Sequence, residues 1–292
     1  MSVFVQQSGS VCEFSNSDSW VILSPIEQSI KRKIEAAGTP LKDWDINIYR
    51  GVLTGYNEAF IISTEKRDEI LANCQSEDER ARTAELIRPI LRGRDIKRYG
   101  YNWANLWLIN THNGIHGKLE RVHIEDYPAI KAHLDQYWDR ISKRADKGDT
   151  PYNLRNCAYL EDFSKPKILW KRVGSILRFC YNDNEALGLD STCFAIGNNI
   201  EFVCCVLNTP MGHYLLKDAP KTGTGDLLIS VQAVEPIKLP SVTHELNIEF
   251  KRLLEMMIAN CSDDIENEIS QKIFNLYGLS HEEQRYIEEN FT

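Results

Sequence analysis

The chain of 292 residues is long enough to bury a full core in one large domain or two smaller ones. No apolar run approaches the roughly 18 residues of a membrane span, and the N-terminus lacks the charged-then-apolar pattern of a secretion signal. We therefore expect a soluble, cytoplasmic protein without a membrane partner. The eight cysteines include no Cys-x-x-Cys pair, which favours buried, reduced thiols over zinc ligands or disulfides.

The net charge of −8 argues against nucleic acid until the charges are mapped along the chain. Residues 235–292 hold twelve acids and five Lys or Arg, so nearly all the excess negative charge lies in the last fifth. Residues 80–98 hold seven basic and two acidic residues, and residues 140–178 hold ten and four. Local basic surfaces, not the total charge, decide whether a protein can hold phosphates. Solvated helix faces would give the same runs, and that alternative stays open.

Residues 1–19 are polar, rich in serine and without a clear period, and we expect either a tail or the remainder of an upstream segment there. Ser24 and Glu27 form a capping box with Pro25 at the first helical position, which predicts a helix that ends at Gly38.

The stretch 49–60 contains the most informative pattern in the chain. Apolar residues flank it on both sides, which predicts two strands around a turn. Gly51 and Gly55 mark places where the backbone can take positive φ or approach another group closely. A guanidinium group, which donates hydrogen bonds in a fork, and two small polar side chains lie beside these glycines. This combination suits contacts with phosphates and base edges. These polar residues are Arg50, Thr54 and Asn57.

A second helix is predicted from Ser76, through Leu86 and Ile87, to Pro89 or just beyond. The segment 91–99 follows, in which four basic residues surround a glycine ahead of Tyr99. Such a basic loop beside an aromatic ring is expected to clamp a nucleic-acid backbone. Its basic residues are Arg92, Arg94, Lys97 and Arg98, and Gly93 is expected to let the backbone approach a nucleic-acid strand closely. The alternative is that Arg92 or Arg94 pairs with Asp95 or Glu85 and fixes the loop.

The middle of the chain alternates between predicted strands and helices. Residues 105–110 predict a strand, and Asp126–Arg144 predicts an amphipathic helix. The histidines at 112, 116 and 123 lie in a loop broken by Asn113-Gly114, so we expect no metal site there. Further strands are predicted at 165–173 and 175–181, with charges alternating outward, and at 190–196 and 227–233; a helix is predicted at 199–207 and a loop at 221–225.

Two prolines bracket residues 236–240, and the composition shifts afterwards. We therefore predict a boundary between a first domain at 1–235 and a helical packing or partner segment at 236–292. Three helices are predicted in the second part, at 243–258, 263–277 and 280–290, and a capping box of Ser280 and Glu283 opens the last of them. An apolar stripe formed by Ile265, Ile269 and Ile273 predicts a helix–helix packing face.

Catalytic signatures are missing from the sequence. There is no glycine-rich turn for a methyl-donor cofactor, no Asn-Pro-Pro element of an adenine methylase, no acid followed by acid-x-Lys as in common nucleases, and no Gly-x-Ser-x-Gly elbow. We therefore expect no catalytic residue and no metal ligand, and a chain that is not itself an enzyme.

Three stretches are distinctive when taken together: residues 49–60, residues 90–99, and Lys167–Arg172 with Asp190–Phe194. They resemble the TaqI-like C-terminal specificity domain, the target-recognition part of type II restriction–modification DNA methyltransferases, many of which fuse methylation and cleavage in one chain. Residues 236–240 also look like the end of a half-repeat in a type I specificity subunit, and residues 266–290 are similar to the usual tail of these methylases. The resemblance covers roughly residues 20–290.

This resemblance implies an α/β (α+β) fold, with a mixed β-sheet recognition domain, flanking helices and a C-terminal helical segment. It implies sequence-specific binding of double-stranded DNA, mainly from the major groove, opposite a methyltransferase or nuclease domain or subunit. S-adenosylmethionine and Mg²⁺ belong to that missing catalytic part, and this chain needs no cofactor. The expected DNA-binding residues are Arg50, Thr54, Asn57, Arg92, Arg94, Lys97, Arg98, Lys171, Arg172 and Lys221.

Two other interpretations stay open. The chain could be a stand-alone nuclease with an unrecognised active site. It could also be a protein-interaction module that uses its C-terminal helices, which is compatible with DNA recognition.

Overall fold

The structure is a computed structural model that describes residues 23–291, so the predicted tail at 1–19 lies outside the described residues. The helices are α1 (Pro25–Ala37), α2 (Asn57–Phe60), α3 (Thr64–Ala72), α4 (Glu77–Leu86), α5 (Pro128–Asp135), α6 (Trp138–Ile141), α7 (Ile200–Leu207), α8 (Pro210–Leu215), α9 (Val231–Val234), α10 (His244–Ala259), α11 (Asp263–Leu276) and α12 (His281–Asn290). The strands are β1 (Gly38–Pro40), β2 (Ile46–Arg50), β3 (Ile61–Ser63), β4 (Ile87–Leu91), β5 (Leu106–Ile109), β6 (Lys167–Lys171), β7 (Val173–Gly174), β8 (Phe179–Asn182), β9 (Leu187–Gly188), β10 (Thr192–Gly197), β11 (Leu227–Leu228) and β12 (Lys238–Pro240). This mixed composition confirms the predicted α/β fold class.

A four-stranded antiparallel sheet in the order β2-β10-β6-β8 lies between two hydrophobic cores. Successive side chains of a strand point to opposite faces of its sheet. Along β6, Ile168 and Trp170 accordingly belong to one core, and Leu169 belongs to the other. Along β10, Ala195 belongs to the same core as Ile168, and Phe194 belongs to the same core as Leu169. The sheet therefore joins two layers that are built from different parts of the chain.

The first core lies between this sheet and a helical layer that includes α1, α7 and α10–α12. Phe250 of α10 packs edge-on against Phe202 of α7, with ring centroids 4.9 Å apart. Ile269 and Ile273 of α11 are fully buried, which confirms the predicted packing face. β12 pairs with β1, so the proline-bracketed segment joins the start of the chain to its C-terminal helices. The domain boundary at residue 235 stays a prediction.

The second core lies between the central sheet and a second four-stranded sheet, ordered β3-β5-β4-β9. Phe60, Ile90, Leu108 and Ile130 are fully buried in it.

No helix within residues 23–291 is long and apolar enough to cross a membrane.

The predicted hairpin at 49–60 is wrong. β2 pairs with β10 in the central sheet, whereas β3 pairs with β5 in the second sheet. Residues 51–56 carry the chain from one sheet to the other, and α2 makes one helical turn before β3 begins. The apolar residues on either side of the turn thus fill different cores, which a local pattern does not distinguish from a hairpin.

Some other element boundaries also differ from the sequence predictions. The helix expected to reach Pro89 ends at Leu86, because β4 begins at Ile87 and its Pro89 lies opposite Trp107 of β5. The helix expected over 126–144 divides into α5 and α6. The strand expected over 227–233 is only the two residues of β11, followed by α9.

The expectation that β6 alternates its charges outward is wrong at Lys167, which is fully buried. Its ammonium donates hydrogen bonds to the Phe163 carbonyl at 2.7 Å, the Asn182 side chain at 2.9 Å and the Asn184 carbonyl. Burial lowers the pKa of Lys167 to about 8. This lysine ties the start of β6 to neighbouring loops and is not available at the surface.

Candidate nucleic-acid interface

Several basic residues converge where strands of the central sheet end. Arg50 is the last residue of β2, Lys171 is the last residue of β6, and Arg172 follows it. Arg92 and Arg94 lie in the loop after β4, which contacts the end of β6. We call Arg50, Arg92, Arg94, Lys171 and Arg172 the basic edge.

The turn at residues 188–191 fixes these segments against one another through backbone hydrogen bonds. The Val52 amide donates to the Gly188 carbonyl at 2.7 Å, and the Leu189 amide donates to the Leu91 carbonyl at 2.9 Å. Ser191 accepts from the Gly93 amide through its hydroxyl at 3.2 Å and from the Arg172 amide through its carbonyl at 3.0 Å. The basic edge is therefore assembled from three separate segments of the chain, which the 188–191 turn holds together.

Gly51 and Gly93 of the predicted site pack closely against neighbouring segments and do not face a ligand. A Cβ atom added to Gly51 would lie 2.0 Å from the Leu189 carbonyl oxygen. A Cβ atom added to Gly93 would lie 2.7 Å from Cγ of Lys171. The interpretation that Gly93 opens the loop to a DNA strand is therefore corrected, because this glycine is buried against the lysine stem. Gly55 does take a positive φ, of 70°, as expected.

Arg92 is bound within its own loop. Its guanidinium donates to both carboxylate oxygens of Asp95, from Nε at 3.0 Å and from Nη2 at 2.7 Å. The Asp95 carboxylate also accepts from the Arg92 amide at 2.8 Å. These hydrogen bonds to Asp95 raise the pKa of Arg92. Pairing of an arginine with Asp95 was the alternative to a phosphate contact at this position, and the structure places Arg92 in that pairing.

Arg98 points away from the basic edge toward the helical layer. It donates to the Asn208 carbonyl at 2.6 Å and forms an ion pair with Glu266 of α11. Its guanidinium carbon also lies 5.6 Å from the centre of the Tyr99 ring. A side chain with these partners joins the loop to α11, which argues against a direct phosphate contact.

Arg94 and Lys171 are the exposed cations of the basic edge that have no ion-pair partner among residues 23–291. Lys97 is half-buried, and its side chain likewise has no such partner in the described part of the chain. Arg50 is exposed and contacts Asp190, with 3.5 Å between Nη2 and Oδ2. Arg94, Lys171 and Arg50 therefore give the edge its available positive charge.

Cys193 of β10 lies between two of the edge arginines. It is 1% exposed, and burial raises the pKa of its thiol to about 11 although Arg172 and Arg50 both act in the opposite direction. In the central sheet, Cys193 lies opposite both Arg50 and Trp170. Because successive side chains of a strand alternate, Lys171 lies on the other face of the sheet from Arg50, at the same end of the strands. The expectation that Lys171 and Arg172 share a DNA-binding face with Arg50 stays a prediction.

Thr54 and Asn57 lie off the basic edge. Thr54 is 1% exposed, and its hydroxyl donates to the Asn57 side chain at 2.5 Å. A direct DNA contact by the Thr54 side chain is therefore corrected, because burial removes it from any ligand. Asn57 is exposed at the start of α2.

Lys221 lies at the base of a small hairpin beside the edge. It is exposed and bridges to Leu227 of β11, which pairs with Gly174 of β7. The Ile229 amide then donates to the Arg172 carbonyl at 2.8 Å. The predicted loop at 221–225 is thus attached to the segment that carries Arg172.

Arg144 supports the segment that follows Arg50, and the sequence reasoning missed it. It is 7% exposed, and it donates to the carbonyls of Thr54, Asp146 and Asn153 with its guanidinium 4.4 Å from the Phe60 ring centre. Burial lowers its pKa to about 10. These hydrogen bonds hold residues 51–56, which connect the two sheets, against the loop 144–153. In sequence it is one more cation in a basic run, and nothing distinguishes it from its exposed neighbours.

Within residues 23–291, no three His, Cys, Asp or Glu side chains lie together in a group that could hold a metal ion.

No protein-family model matches the chain, and no curated protein is similar to it in sequence. Its fold is similar to solved structures of restriction–modification enzymes. The type IIL enzyme MmeI, solved in complex with DNA, matches 87% of this chain with a TM-score of 0.58 and 9% identity. The type IIG restriction endonuclease BpuSI matches 91% with a TM-score of 0.53 and 12% identity. The chain spans 36% and 32% of the length of these two enzymes, so the likeness concerns one part of each.

Proposed function

We propose that this chain is the part of a restriction–modification system that recognises double-stranded DNA, in the manner of the TaqI-like specificity domains. The observation that carries the proposal is the basic edge, where cations from separate segments meet and Arg94 and Lys171 keep their charges unpaired. Clustered, accessible cations are what phosphate binding requires, and they occur here although the whole chain is acidic. The fold shared with MmeI and BpuSI supports the same proposal.

The roles of the edge residues follow from their contacts. Arg94 and Lys171 are free to hold phosphates, and Lys221 extends the same surface beside β7. Arg92 fixes its loop through Asp95 and acts on DNA only indirectly. Arg50 is held loosely by Asp190 and can exchange that partner for a base edge or a phosphate.

In this proposal, methylation or cleavage is done by another domain or subunit, which supplies S-adenosylmethionine and Mg²⁺ chemistry. The missing catalytic signatures of the sequence support this division. A stand-alone nuclease remains the competing function, and it makes the opposite prediction for purified chain and plasmid.

The experiment is selection of bound sequences from a pool of random duplexes, followed by binding isotherms at several salt concentrations. A recognition domain yields a shared sequence and an affinity that falls steeply with salt. Plasmid incubated with Mg²⁺ and the chain should remain uncut. Absence of sequence enrichment would contradict the proposal, and nicking that disappears in a variant of this chain would favour the nuclease.

A further inference from the structure

Ile176 is the most exposed large hydrophobic side chain among the described residues, with 62% of its surface accessible. It lies in the short loop between β7 and β8. The next residue, Leu177, is 8% exposed and packs into the first core, and Gly174 pairs with Leu227 of β11. The loop is therefore anchored on both sides of Ile176. This anchored loop presents an apolar side chain to solvent in a fixed position.

The surroundings of Ile176 are basic. The loop follows Lys171 and Arg172 and precedes Arg178, and none of these three has an ion-pair partner within residues 23–291. A Cβ atom added to Gly174 would lie 3.5 Å from the Lys171 ammonium and 3.8 Å from the Ile176 carbonyl oxygen. The ammonium thus lies near the backbone of the loop at Ile176, at the base of the apolar side chain.

A tip of this kind matches the groove of a duplex better than the surface of a protein. In the major groove, phosphates border a floor on which the thymine 5-methyl group is the apolar feature. The groove admits a two-stranded ribbon, and β6 and β8 form an antiparallel pair joined through this loop. Cations at the base and an isoleucine at the tip would meet phosphates and a methyl group respectively.

We propose that Ile176 reads thymine through apolar contact with its 5-methyl group in the major groove. This inference rests on the proposed function, since it assigns a role within the same DNA-binding surface. It adds a specificity-determining residue to a surface otherwise described by charge.

The test is a cycle that removes the isoleucine side chain and the thymine methyl group separately and together. The probes are a duplex selected on the wild-type chain, the same duplex with each thymine replaced in turn by deoxyuridine, and a random duplex. Ile176→Ala should weaken binding to the selected duplex roughly 5- to 20-fold and leave random-duplex affinity and salt dependence unchanged. At one position, deoxyuridine should weaken wild-type binding by a similar factor and have no effect on the variant. Ile248→Ala, which removes a 53% exposed isoleucine from α10, is the matched control.

Equal binding of Ile176→Ala and wild type to the selected duplex would overturn the inference. Additive effects at every thymine, or a selected sequence without thymine, would overturn it equally. These outcomes differ from failure of the proposed function, in which the wild-type chain itself shows no preference for any duplex. The melting temperature of Ile176→Ala should match that of the control, which separates lost recognition from lost folding.

Discussion

The basic edge and the C-terminal helical layer carry opposite charge and use it differently. In the helical layer, ion pairs join segments distant in sequence, as Lys33 does with Glu283 at 2.6 Å and Lys272 with Glu249 at 2.8 Å. Burial alone would raise the pKa of Glu283, but bonds from Lys33 and Ser280 lower it to about 2. At the basic edge, Arg94 and Lys171 have no ion-pair partner among the described residues. Charge in the layer is paired within the fold, whereas part of the charge at the edge is unpaired, and the proposed DNA contact rests on that part.

Two arginines show that position in sequence does not decide to which class a cation belongs. Arg94 and Arg98 are four residues apart in one basic loop. Arg94 is exposed, whereas Arg98 reaches Glu266 across 168 residues of sequence. A basic run therefore contains both cations that are paired within the fold and cations that are not, and only the fold separates them.

The largest effect is expected from breaking the helical layer. Phe250→Ala removes a fully buried ring that packs on Phe202, and it should lower the free energy of unfolding by about 3–5 kcal/mol. Met256→Ala, at a 40% exposed position of the same helix, should change it by less than about 0.5 kcal/mol. Urea unfolding measures both. If the helical layer only supports the fold, the folded fraction of Phe250→Ala should bind DNA as the wild type does. A loss of DNA affinity in that folded fraction would show that the layer also takes part in binding.

A smaller effect is expected from the arginine that joins the two regions. Arg98→Met removes the bonds to Asn208 and Glu266 and should cost roughly 1–2 kcal/mol of stability, because both partners are partly buried. Glu266→Gln should cost less, and the double variant should show that the two losses are coupled. DNA affinity should stay within about twofold of wild type, since a guanidinium already bound to Glu266 makes no phosphate contact. A flattened salt dependence in Arg98→Met would instead return this residue to the interface.

Much of the fold could be predicted where local chemistry decides it. Capping by Ser24 and Ser280 located the starts of α1 and α12, because a serine side chain and a glutamate three residues later bind each other's backbone amides. Pairing across the chain could not be predicted. The Gly51 amide donates to the Thr192 carbonyl, and β3 pairs with β5. Residues 49–60 therefore have the sequence pattern of a hairpin, but in the structure they connect two different sheets.

The candidate site shows the same contrast between local features, which the sequence predicts, and long-range contacts, which it does not. The residue types and the basic runs located the edge, and the local pairing of Arg92 with Asp95 was visible as an alternative. The long-range partner of Arg98 was not visible, because Glu266 lies in the acidic segment that the charge map assigned to packing. Burial of Thr54 and Arg144 depends on the loop 144–153, which carries no sequence signal of its role.

The smallest effect per residue is expected at the free cations, and it is the most specific to the proposed function. Arg94→Ala and Lys171→Ala should leave the free energy of unfolding within about 0.5 kcal/mol of wild type, because neither side chain has an ion-pair partner within residues 23–291. Each should weaken DNA binding by roughly 5- to 10-fold at low salt, about equally on selected and random duplexes, because a phosphate contact carries no sequence information. Each should also reduce the slope of log affinity against log salt by about one.

Lys42→Ala is the matched control for these two variants, since Lys42 is exposed and precedes β2, at the opposite end of that strand from Arg50. It removes the same unit charge from the chain, so an effect of net charge alone would appear in all three variants. A recognition surface localised at the edge predicts that the slope changes only for Arg94→Ala and Lys171→Ala, and that the double variant loses about two units. Equal slopes for the double variant and for Lys42→Ala would mean that the phosphates lie elsewhere on the molecule, because counterion release reports only the charges that meet DNA.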